Sequence, residues 1–207
     1  VSVACVIATS ALAPHASVVR SSGGVPYSQR AWLLRNLILP TYRWSGIFSE
    51  VVVVGEWEPS PGCTVVPFDS VYRNCADALL KRQAGFDALK RKDVEWVLFQ
   101  HDDHVYDPTN AYPVGDCDVI APGRYTHARN AMGEPLNDGS AYGYVNGHAC
   151  LMRPDCFLKH GFRWDTIAPV FEWDMEMTKR LDALQLTWLY EPGLKTWDVE
   201  IGAQPWL

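Results

Sequence analysis

Apolar positions along the chain fall into two patterns. Short, largely apolar runs occur at residues 3–8, 50–54 and 95–99, the first two rich in valine, with a briefer one at 64–66. Runs of this length and composition, bounded by polar or turn residues, predict buried strands. Between them the spacing is helical. Residues 29–39 predict a helix that stops before Pro40. Residues 74–90 predict a second, with Ala76, Leu79, Leu80, Ala84 and Phe86 on one side and Asp69 or Ser70 able to cap its entry. Residues 17–26 and 56–62 are rich in Gly, Ser or Pro and read as loops. The first half therefore reads strand, helix, strand, strand, helix, strand. That order predicts an α/β fold with a mostly parallel central sheet flanked by helices. In such sheets ligands bind beyond the carboxyl ends of the strands.

The second half is less regular. A strand is predicted at 118–121, a long Gly- and Asn-rich loop at 122–144, a strand at 143–153 and a helix at 174–184 with Met177, Leu181 and Leu184 on one face. There is no internal repeat, and the one soft division falls near residue 110. The 207 residues suit a single domain.

Composition changes this picture little. The net charge of -6 lacks the broad basic footprint of a nucleic-acid binder. Nine tryptophans are a high count; indoles fill cores, and they also stack on sugar rings. None of the six cysteines forms a CxxC pair, which argues against structural zinc and for a reducing, cytoplasmic setting. Residues 1–13 are apolar but have no basic leading region, so they read as a core strand and not a secretion signal. No run has the length of a membrane span.

The chemistry concentrates after the fourth strand, at His101-Asp102-Asp103-His104 followed by Asp107-Pro108. Adjacent carboxylates repel, and a divalent cation relieves that repulsion. Carboxylates suit Mg²⁺ or Mn²⁺, and imidazole tilts the choice to Mn²⁺ or a softer metal. A solvated acidic turn is the plainer alternative.

This segment resembles the DxD region of GT-A glycosyltransferases, especially the family-2-like group, whose fold is a single Rossmann-like GT-A domain. Aligning on Asp107-Pro108 puts Asp103 at the last Asp of the motif as metal ligand, with His101 replacing the first Asp and Asp102 taking a donor-binding role. Arg82 and Gly85 match the family's Arg-Asn-x-Gly helix, in which the arginine faces the nucleotide and the glycine permits close packing. Thr9 and Glu56 fall where the family contacts the base, and Gly147-His148 resembles a segment lining the sugar pocket, with His148 near the diphosphate. Residues 170–181 resemble the family's Glu-Asp-x-Asp segment, which implies Asp174 as catalytic base and Glu172 as second choice. The family's late metal-binding His is absent, which leaves Asp198 as substitute or the metal held by Asp103 and the diphosphate alone.

The resemblance implies a metal-dependent, inverting transfer from a nucleotide-diphosphate sugar, a UDP-sugar first, to an acceptor hydroxyl. Residues 1–110 would form the nucleotide-sugar half and 111–207 the acceptor half, with Trp164 and Trp173 stacking on sugar. Three other readings stand beside it. One is a nucleotidyltransferase. Another is a non-catalytic sugar-nucleotide-binding module. The third is transfer to a modified base in phage DNA through a basic groove of Arg124, Arg129 and Arg153.

Overall fold

The computed structural model describes residues 2–12, 27–70, 75–126, 133–136, 139–147, 149–170 and 172–199. Eight strands form one sheet: β1 (Val3–Thr9), β2 (Phe48–Gly55), β3 (Thr64–Val66), β4 (Trp96–His101), β5 (His104–Tyr106), β6 (Val119–Thr126), β7 (Ala149–Met152) and β8 (Trp188–Asp198). Their order is β3-β2-β1-β4-β7-β6-β8-β5. The first four are mutually parallel. β7 runs against both β4 and β6, β8 is parallel to β6, and β5 runs against β8. The sheet is thus mostly parallel, as the apolar runs require, and the fold is a mixed α/β domain.

Both faces of the sheet are buried, which explains why the strands are continuously apolar. Ala4, Val6, Val52, Val54, Val97 and Phe99 point to one core layer. Their neighbours Val3, Cys5, Ile7, Val51, Val53, Trp96 and Leu98 point to the other. Helix α3 (Cys75–Ala88) packs on the first layer, close to β1 and β2. Its Gly85 permits that approach. A Cβ there would stand 2.3 Å from Val6 Cγ1 and 3.0 Å from Val54 Cγ2.

The second layer is covered by a helix that does not stop at Pro40. It runs as α1 (Tyr27–Leu33), a π-helical stretch (Leu34–Ile38) and α2 (Leu39–Ser45). Proline offers no N–H to the preceding turn and its ring crowds that turn's carbonyl. The wider π turn, closed by Leu39 N–H on Leu34 C=O, absorbs the misfit. It also keeps Leu34, Ile38, Leu39 and Tyr42 buried against the sheet.

The second half departs further from expectation. β6 extends through Thr126 into the predicted loop, and residues 133–136 return along it through Thr126 N–H on Glu134 C=O and Leu136 N–H on Arg124 C=O. The strand predicted at 143–153 shrinks to β7. A short helix α4 (Asp155–Leu158) follows it, and α5 (Trp173–Ala183) is the predicted last helix. β5 and β8 have no counterpart in the sequence reading. The five cysteines whose side chains are described are all free. Among the described residues no helix is long and apolar enough to cross a membrane.

Candidate active site

The carboxyl ends of β1, β2 and β4 lie side by side, since Thr9 pairs with Gly55 and Ala8 with His101. The Asp102–Asp103 turn begins there and leads into β5. Both carboxylates are held internally. Thr9 Oγ1 donates to Asp102 Oδ2 at 2.7 Å. The Arg30 guanidinium, from α1, spans the pair: Nη1 is 2.9 Å from Asp102 Oδ1 and Nη2 is 2.5 Å from Asp103 Oδ2. His104 Nδ1 is 2.8 Å from Asp103 Oδ1. Burial pushes the Asp103 carboxyl up, but Arg30 and then His104 outweigh it and hold it well below the usual carboxylate range.

Asp198 lies alongside, because β5 pairs His104 with it. Its Oδ2 bonds Arg124 at 2.6 Å and stands 3.9 Å from His104 Nε2. The His101 ring centroid is 6.2 Å from that of His104. The predicted ligands Asp103, His101 and Asp198 do not form a cation cage in this arrangement. Among the described residues no three His, Cys, Asp or Glu side chains gather to hold a metal ion. Each oxygen of Asp102 and Asp103 already faces a protein donor, and the guanidinium sits between them.

A second polar cluster joins the ends of β1 and β2. Lys81 of α3, 1% exposed, bonds Thr9 C=O and Ser10 Oγ at 2.6 Å and Ser70 Oγ at 2.5 Å. Its Nζ is 3.6 Å from Glu56 Oε2, and Glu56 in turn accepts from the backbone N–H and the hydroxyl of Ser70. Burial lowers the Lys81 pKa against the pull of Glu56, Asp77 and Asp102. Lys81 was legible only as a cation beside Arg82 on a helix that also carries Asp77, Gln83 and Asp87.

Arg82, expected to face a nucleotide, is fully buried. Its Cζ lies 4.8 Å from the Trp164 ring centroid and 4.9 Å from that of Trp173. This corrects both assignments. Trp164 and Trp173 are core side chains that enclose the guanidinium and offer no face to a sugar. Lys81, one residue earlier on the helix, reaches the strand ends instead.

Asp174 stands in the first turn of α5, and its Oδ1 accepts the Gly147 N–H at 3.0 Å. Gly147 precedes Ala149, which pairs with Gln100, so Asp174 lies at the same end of the sheet's strands as Asp102. A Cβ on Gly147 would stand 2.2 Å from the Trp173 ring and 2.7 Å from Asp174 Oδ1, so this contact needs glycine. Glu172 is exposed at the helix N-cap position and makes no side-chain capping bond. His148 and Arg129 lie outside the described residues. Arg124 and Arg153 stand apart along β6. Arg153 N–H bonds Asp118 C=O at the start of β6, while Arg124 is six residues further along that strand. At strand rise that is roughly 20 Å.

No family model and no curated protein matches the sequence. Among the solved structures that share the fold are two transferases. The inositol-1-phosphate CTP transferase from T. maritima superposes with a TM-score of 0.53 at 11% identity, over 95% of this chain and 88% of that one. The catalytic domain of Drosophila beta1,4-galactosyltransferase 7, in complex with xylobiose, superposes with a TM-score of 0.51 at 10% identity. That match covers 92% of this chain and 65% of the Drosophila domain. At these identities the likeness establishes a shared fold.

Proposed function

We propose that this chain is a glycosyltransferase that moves a sugar from a nucleotide-diphosphate sugar, a UDP-sugar first, to an acceptor hydroxyl. The observation that carries the reading is the placement of Asp174. It sits at the helix N-terminus, at the end of the strands that also bears Thr9, Asp102 and Asp103, oriented by the Gly147 N–H. A carboxylate there takes the acceptor proton as the acceptor oxygen bonds the anomeric carbon. The bond from that carbon to the diphosphate breaks, and the nucleoside diphosphate leaves with the electron pair. Attack opposite the leaving group inverts the centre. Thr9 and the Glu56–Ser70–Lys81 cluster, at the ends of β1 and β2, would meet the nucleoside.

Calorimetric titration with UDP, GDP, CDP and ADP, with and without Mn²⁺, tests the reading. One nucleoside diphosphate should bind in preference to the others. Asp174→Asn should keep that binding and lower transfer by about 10²–10⁴-fold. Full turnover in Asp174→Asn would remove Asp174 as base and turn attention to Glu172.

A second reading has one observation in its favour. The CTP transferase is matched along 88% of its length. In nucleotidyl transfer a substrate phosphate attacks the α-phosphorus of a nucleoside triphosphate and pyrophosphate leaves. Binding of CTP in preference to every diphosphate would favour it.

A further inference from the structure

Two adjacent aspartates at the mouth of a nucleotide-type fold need a counter-charge, and this chain supplies one from its own sequence. Arg30, on α1, reaches Asp102 Oδ1 at 2.9 Å and Asp103 Oδ2 at 2.5 Å. The two remaining oxygens are also taken, by the Thr9 hydroxyl at 2.7 Å and by His104 Nδ1 at 2.8 Å. Asp198, the other acid nearby, is matched by Arg124 at 2.6 Å. The guanidinium is planar and permanently charged, and its fork fits two carboxylates at once. A divalent ion bridging the same oxygens would be placed within a few ångströms of it, where like charges repel strongly.

We propose that Arg30 is the resident cation of this site: it stands in place of a divalent metal between Asp102 and Asp103, and a nucleoside diphosphate binds without one. The second half rests on the transferase reading; the first does not. Arg30 neutralises the pair before any ligand arrives, so the diphosphate meets a turn whose negative charge is already offset.

The deciding measurement is Mn²⁺ binding to the nucleotide-free full chain, followed by the loss of the free-ion paramagnetic resonance signal. The wild-type chain should take up no Mn²⁺ at the turn. Arg30→Ala should gain a site, with affinity raised about tenfold or more, and Asp103→Asn in that background should abolish it. Arg30→Lys keeps the charge and should leave the turn as closed as in the wild type. Wild-type uptake of Mn²⁺ that is lost in Asp103→Asn would overturn the proposal, and that arm does not depend on how the Arg30 variants fold. So would an Arg30→Ala chain that melts as the wild type does and gains no site. For the ligand half, the nucleoside diphosphate that binds should do so with the same affinity in EDTA and in Mn²⁺, to within about twofold; tightening by tenfold or more in Mn²⁺ would overturn it. Failure of all four diphosphates to bind would sink the transferase reading, while the Mn²⁺ titration would still decide the role of Arg30.

Discussion

Glu56 shows how a single side chain ties local chemistry to stability. Burial raises its carboxyl pKa, but the two bonds from Ser70 and the charge of Lys81 outweigh that and hold it below the ordinary value of 4.5. The unfolded chain therefore binds a proton more readily than the folded one. The stabilisation is full above the ordinary value and is lost as pH falls through the lowered one. Melting temperatures of the wild type and Glu56→Gln, taken from pH 6 down to pH 3, should converge at the acid end. Parallel curves would show that Glu56 titrates alike in both states. Lys81 belongs to the same cluster, and nothing in its local sequence marks it, of the two buried cations Lys81 and Arg82, as the one that reaches the strand ends. The choice is made by which side of α3 meets the strand ends and which meets Trp164 and Trp173.

Helix α3 and the strands beneath it form the element pair that fixes the edge of the site. Its first apolar layer is closed by Gly85, where no side chain fits above Val6 and Val54. Gly85→Ala would normally favour a helix, since alanine has the better propensity. Here the added methyl collides with a buried valine, and overpacking should win by about 1–3 kcal/mol. Chemical denaturation should show a lower midpoint for Gly85→Ala with an unchanged slope; a midpoint at or above the wild type would mean that α3 lifts off the sheet without cost. The long helix over the other face teaches the opposite lesson. Pro40 is a local stop signal that the chain overrides, because the π turn lets Leu39 and Tyr42 stay in the core.

The whole molecule is joined by one sheet and by one aromatic cluster. β4 from the first half pairs with β7 from the second. Trp164 packs against Phe99 of β4 with ring centroids 5.1 Å apart, against Phe162 at 5.2 Å, and over Arg82 of α3. The segments before and after residue 110 therefore share a core. Unfolding should be a single cooperative transition by both tryptophan fluorescence and far-ultraviolet circular dichroism. Trp164→Ala should lower the stability of the entire chain by about 3–5 kcal/mol and not of one half alone. Two separated transitions in the wild type would contradict a shared core.

The sequence by itself determined β1, β2, β3, β4, α3 and α5, the two-sided burial of the sheet, and the position of the acidic turn at a strand's carboxyl end. Those features are written in short-range periodicity, and a strand buried on both faces or a helix with one apolar side is recognisable without its partners. Gly85 and Gly147 were legible through the resemblance to GT-A enzymes, and the structure supplies their steric reason. Only the tertiary structure decided the rest. β8 carries Pro192 and Gly193 at a register shift and is partly exposed, so it has no clean alternation to read. Arg30 lies 72 residues from Asp102 and comes to it only because the long helix packs across the sheet. Arg82 and the two indoles around it are polar or amphipathic residues whose burial depends on three separate segments meeting. Periodicity reports what a segment must hide; which distant charge or ring it is hidden against is settled by packing, and that is where the chemistry of this site was decided.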